Sequence, residues 1–224
     1  MLAPLFKILE TSGLVEEVDQ ALWSTVIRLR RSRRLSRKTL ARMRGDRASW
    51  ALRQGRFDEA EAGFRRVERS FQALGLEAER LNSIAGRART LSRSGRHEQA
   101  VVLFEGAIEE AGSGSMRANL LLGLGAAHVR EGSRRDDAEA TDLFDRAIAT
   151  YRRAIEAAPL DSTERANARL GLARALGQSG RQEDALATLD LAIAELAHVR
   201  SPAAKMLQEH RDQFVAGAWY SLEV

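Results

Sequence analysis

Apolar residues recur at three- and four-residue spacing along the chain, the period of a helix buried on one side. Alanine, leucine, arginine and glutamate dominate, and all favour helix. Only three prolines occur, Pro4, Pro159 and Pro202, and none falls inside a periodic segment. The pattern predicts helices throughout and argues against strands. Near the start, Leu14, Val15, Val18, Leu22, Val26 and Leu29 form one apolar stripe. Glu16, Glu17 and Asp19 open it and Arg28, Arg30 and Arg31 close it, as a helix dipole prefers. Near the end, Ser201 and Pro202 make a favourable helix start, followed by Met206, Leu207, His210, Phe214 and Trp219.

Between these ends the chain repeats itself. Gly55-Arg56-Phe57-Asp58-Glu59-Ala60 is followed by Phe64 and Val67. Gly95-Arg96-His97-Glu98-Gln99-Ala100 is followed by Phe104 and Ala107. Gly180-Arg181-Gln182-Glu183-Asp184-Ala185 is followed by Leu189 and Ala192. A looser copy starts at Gly132 and runs through Ala147, Tyr151, Ala154 and Pro159. Each glycine is expected to supply the positive φ that ends one helix, and the acidic residues after it suit the start of the next. The small, large and small residues then make one stripe, where alanine allows close approach and the large side chain fills the gap to a neighbouring pair.

This arrangement resembles the tetratricopeptide repeat (TPR), in a variant with long helices, over roughly residues 37 to 200. Ala48, Ala88, Gly125 and Ala173 take the place of the small residue in each first helix. Arg47 and Arg87 stand where the family usually has leucine, and Ala51, Leu91, His128 and Leu176 where it has an aromatic. The third copy carries extra residues after Gly132, read as a longer second helix from Asp137 to Ala157. The resemblance implies an all-α fold, a right-handed TPR-type superhelix (α-solenoid) of four helix pairs with N- and C-terminal capping helices. Residues 1–35 are expected to form an amphipathic, basic helical segment. Residues 36–200 would hold the repeats (about 37–74, 78–112, 116–159 and 163–199), and 201–224 a capping helix that covers an otherwise open end.

With 224 residues, 44% of them hydrophobic, the chain is long enough to bury a substantial core. It has no cysteine, which removes disulfides and cysteine-based zinc sites. The sequence MLAPLFKILETSG lacks a basic leader and soon meets Glu10, so it reads poorly as a signal peptide, and no apolar run is long enough to span a bilayer. A cytoplasmic location is the expectation. The isoelectric point of about 10.1 owes much to arginine, since only three of the 35 basic residues are lysines. Its distribution is more telling. Twelve basic side chains stand against Asp46 alone between Arg28 and Arg56, in a chain whose net charge is only +4. The remainder is therefore net acidic.

Little points to catalysis. His97, His128, His198 and His210 are spread over separate segments, and no HExxH, GxxxxGK[ST] or GxSxG pattern occurs. No cofactor or metal is expected. Asp136 and Asp137, between arginines and helix, read as a solvated turn.

The family resemblance implies that the first helix of each pair lines a groove. Its inward row nearest the helix start reads Arg42, Asn82, Asn119 and Asn167. Seven residues on, the row reads Ser49, Arg89, Ala126 and Arg174, and four further on Arg53, Arg93, Arg130 and Gln178. An asparagine amide donates and accepts, so it suits the backbone of an extended peptide, and arginines beside it suit carboxylates. The same asparagines also suit helix starts, and the arginines also fit an arginine-rich composition. A second candidate is the basic patch of Arg28, Arg30, Arg31, Arg33, Arg34, Arg37, Lys38, Arg42 and Arg44. Its charges run round the helix without interleaved aromatics, which describes a solvated connector as well as a contact for an acidic partner, anionic lipid or nucleic acid. The first nine residues, with Leu2, Leu5, Phe6, Ile8 and Leu9, suit either a small apolar anchor or packing on the next helix. The sequence thus reads as a non-enzymatic adaptor that holds a protein or extended peptide, possible also as a homo-oligomer. The alternative is a tether that engages nucleic acid or an anionic membrane through residues 28–56.

Overall fold

A computed structural model describes residues 23–24, 27–28, 35–160, 162–196 and 202–216. Among them lie nine helices with defined bounds and no strand: α1 (Arg37–Arg53), α2 (Phe57–Gln72), α3 (Glu77–Arg93), α4 (His97–Glu110), α5 (Ser115–Gly132), α6 (Ala138–Ala157), α7 (Thr163–Gln178), α8 (Gln182–Leu196) and α9 (Pro202–Val215). The fold is all-α. The expected stripe from Leu14 to Leu29, and the aromatic Trp219, lie outside the described residues.

Local chemistry explains the helix ends. Ser36, Asp137 and Ser162 cap α1, α6 and α7, their side-chain oxygens accepting from the backbone N–H of Thr39 (3.0 Å), Glu139 (3.1 Å) and Arg165 (3.1 Å). Gly55, Gly95 and Gly180 adopt φ values of 73°, 84° and 84°, where an L side chain is strained. At Gly55 the chain reverses through Arg56 N–H to Ala51 C=O (2.9 Å), and at Gly180 through Arg181 N–H to Leu176 C=O (2.8 Å). Gly132 behaves differently from this expectation. It is the last residue of α5 and is not among the positive-φ glycines, and the turn is carried by the residues after it. The ring of Phe144 explains the glycine instead, because a Cβ there would lie 3.2 Å from it.

The chain divides into two compact units, Met1–Ser94 and Gly95–Val224. In the first, α1 packs on α2, α2 on α3, and α1 meets α3. Ala48, Ala51, Leu52, Ala60 and Phe64 form one core cluster, and Ala41, Val67 and Phe71 another. Trp50 is buried, with the Arg56 guanidinium 4.3 Å from its ring centre. In the second unit, each helix from α4 to α9 packs on the next, and α5 and α9 also meet α7. Its core gathers Tyr151, Leu172, Leu176, Leu189, Leu207 and Phe214, so the last helix covers the pair before it.

One contact recurs in both units. The large side chain of a second helix lies against a glycine of the next first helix. A Cβ on Gly86 would come within 2.4 Å of Phe64, one on Gly123 within 2.5 Å of Phe104, and one on Gly171 within 2.3 Å of Tyr151. Tyr151 is held on its other side by Gly125, at 2.8 Å on the same measure. Real Cβ atoms do not approach so closely, so each ring fills the space a side chain would occupy.

This packing generates a paired prediction. Phe104 is fully buried, and Phe104→Ala is expected to cost about 3–5 kcal/mol in urea unfolding. Gly123→Ala is expected to cost about 1–3 kcal/mol by overpacking. The double variant should lose clearly less than the sum, because the ring that clashes is gone. Additive losses would break the proposed pairing.

Candidate functional site

Each unit presents the polar face of its first helices, and the side chains on these faces differ in what they already bind. In the first unit, α1, α2 and α3 bound a cavity of about 480 Å³ whose lining includes Arg42, Met43, Ser49, Phe71, Asn82 and Arg89. Asn82 and Arg89 are seven residues apart on α3, two turns along one face, so the helix delivers both to this space. Asn82 is exposed. Arg89 is exposed as well, and the walls beside it pull its pKa below the ordinary guanidinium value. No carboxylate opposes this shift. Arg93, one turn further, is half-buried.

Glu79 divides the cations of this unit. It accepts from Lys38 at 3.0 Å and from Arg42 at 3.2 Å. The hydrogen bond from Lys38 holds its pKa below the usual carboxylate value. Two residues of the basic patch are thereby satisfied inside the unit. Just beyond it, Arg47 and Arg56 both pair with Glu59, at 3.4 and 2.8 Å. Arg28 and Arg37 are exposed and Arg44 is half-buried. Arg30, Arg31, Arg33 and Arg34 lie outside the described residues.

In the second unit, Asn119 and Asn167 stand near the starts of α5 and α7, both exposed. The Asn119 amide reaches the Glu164 carboxylate at 3.5 Å, the outer limit of a hydrogen bond. Two turns after Asn167, Arg174 has an Nε sealed from solvent with no hydrogen-bond partner. Desolvation lowers its pKa. Burial pushes the Tyr151 phenol well up, partly offset by the positive charges of Arg174 and Arg130. Arg130, Arg174 and Tyr151 are therefore close enough to feel one another. A buried donor with no acceptor costs stability.

The sequence rows thus separate into groups. Asn82 with Arg89 share one cavity, and Arg130 with Arg174 converge on Tyr151. Arg42, which belongs to both the groove row and the basic patch, is occupied by Glu79. Sequence reasoning missed Glu79, although it lies one turn before Asn82 on the same face. It also read Tyr151 only as core filling, and a phenol in place of phenylalanine was the available signal. Among the described residues, no three His, Asp or Glu side chains are grouped to hold a metal ion. No described helix is long and apolar enough to cross a membrane.

Because Asn82, Asn119 and Asn167 are exposed, replacing each by alanine should shift unfolding free energy by less than about 0.5 kcal/mol in thermal melts. A larger loss at any of them would make that residue structural.

No family model matches the chain, and no curated protein matches it. Solved structures do. The chain is similar to BtubC (BKLC) from P. vanneervenii, with a TM-score of 0.59 and 17% identity over 89% of this chain and 80% of that one. It is also similar to the putative kinesin light chain nearly identical TPR-like repeats of Podosopora anserina. There the TM-score is 0.52 and the identity 22%, covering 81% of this chain and 89% of the other. At these identities the likeness shows the fold: this is a TPR-like helical-repeat chain.

Proposed function

We propose that this TPR-like chain is a non-catalytic scaffold whose first-helix faces hold an extended, acidic segment of a partner protein. The observation that carries the reading is the pair Arg89 and Arg174, the first exposed at its cavity and the second partly buried. Each stands seven residues after an asparagine, and neither has an opposing carboxylate. An asparagine reads a peptide backbone by donating and accepting at once, while an arginine fork fixes a carboxylate beside it. Asn82, Asn119 and Asn167 with Arg89, Arg93, Arg130 and Arg174 are the residues assigned to this role. The absence of any recognisable nucleophile, metal-ligand or phosphate-loop motif in the sequence supports the non-catalytic part.

A tethering role for residues 28–56 is the second reading, favoured by the exposure of Arg28 and Arg37. Salt separates the two. Binding to phosphates releases counterions and weakens steeply with ionic strength, whereas a peptide held by amides and one or two arginines responds much less.

The test is capture of partners by the full chain, identified by mass spectrometry and then measured as synthetic peptides. Arg89→Gln or Arg174→Gln should weaken binding of an acidic peptide by about tenfold or more, equivalent to about 1.4 kcal/mol. The same peptide with its carboxylates amidated should bind wild type and variants alike. Unchanged affinity for both variants would remove the arginines from the site, and loss of all binding in 200 mM salt would favour the tether.

A further inference from the structure

The second unit holds a pair of imidazoles unconnected with the groove rows. His97 opens α4 and His128 lies on α5, and their ring centres are 5.2 Å apart at a tilt of 59°. His128 is only 5% exposed. The Nδ1 atoms of both rings are sealed from solvent and have no hydrogen-bond partner. Beside them opens a cavity of about 450 Å³, lined by Gly95, His97, Glu131, Arg135, Asp142 and Arg146 among others.

The irregular third repeat builds this place. In α2, α4 and α8 the alanine of the stripe is the fourth helical residue, as Ala60, Ala100 and Ala185. In α6 the equivalent Ala147 is the tenth. The six additional residues, about a turn and a half, carry Glu139, Asp142 and Leu143 to the cavity wall.

The charges around the pair come from three directions. Glu98 faces His97 from α4, Glu131 and Arg135 face it from the end of α5 and the turn beyond, and Arg146 from α6. Asp142 and Arg146 face His128 from α6. Of the countercharges, Glu98 makes no ion pair among the described residues, and the other two are already engaged. Glu131 pairs with Arg135 at 3.2 Å and Arg134 at 3.7 Å, and Asp142 pairs with Arg146 at 2.7 Å. Two neutral rings pack at this tilt, but two imidazolium ions would repel each other with no acceptor at either buried Nδ1.

We propose that the His97–His128 pair is a proton-sensitive latch, packed while neutral and forced apart on acidification, which loosens α4 from α5. Water and protons reach it through the adjoining cavity. Burial moves both groups down from the ordinary histidine value, His128 to about 4. A folded-state pKa below the unfolded one gives stability that is complete above about 6.5 and lost as pH falls towards 4.

Histidine ring NMR of the full chain tests this directly. The His128 signal should titrate well below the ordinary histidine value and the His97 signal below it too, and His97→Phe or His128→Phe should assign each by removing one signal. Between pH 6.5 and 4.5 the unfolding constant of the wild type should rise by up to about tenfold per pH unit from His128 alone. His128→Phe should flatten that slope. Four signals titrating together near 6.5, or an unchanged slope in both variants, would overturn the latch.

Discussion

An aromatic ring laid on bare backbone sets the geometry of both units. Phe64, Phe104 and Tyr151 need a seat, and Gly86, Gly123 and Gly171 provide it by having no Cβ. Once the ring is seated, the two helices are held at one separation and in one register. The small residues around it, Ala60, Ala100 and Ala147, are each fully buried because the helices then have no room for more. The polar faces inherit their order from this contact. Asn82 and Arg89 flank Gly86 on α3, four residues before it and three after, and Asn167 and Arg174 flank Gly171 in the same way on α7. Residues three and four apart share a helix face, so the ring seat and the polar pair stand in one row, and the packing that fixes the glycine fixes its neighbours in that row.

Much of this was legible in the sequence because repetition multiplies weak signals. The turn glycines, the acidic first turns and the alanine-and-ring stripe recur, and Gly55, Gly95 and Gly180 indeed take positive φ. The longer second helix from Asp137 was legible for the same reason, since its period continues unbroken, and Asp137 caps it. Gly86, Gly123 and Gly171 were visible as small residues, but their purpose was not. A ring contact some twenty residues away leaves no local pattern. Gly132 misled for the converse reason: it resembles the turn glycines by position, while its actual constraint is the Phe144 ring.

The candidate site was harder to read than the fold. A row of residues in a repeat says which face they share but not which are already engaged. Lys38 and Arg42 look as available as Arg89 until Glu79 is placed between them. Likewise, four scattered histidines gave no hint that His97 and His128 meet across two helices. Pairings between helices decide charge availability, and sequence spacing encodes only pairings within one helix.

The ring seat also bears on how such chains lengthen or recombine. A helix pair looks like the natural piece to copy or exchange, since it begins and ends at turns. Yet each ring also sits on a glycine of the next pair, so a cut at the turn before α5 separates Phe104 from Gly123. A transplanted pair would bring a ring to a neighbour that has no seat for it, or a seat to a neighbour with no ring. The inheritable module is therefore offset from the visible one. It runs from one second helix through the following first helix, and grafts cut to that frame keep each ring with its own glycine.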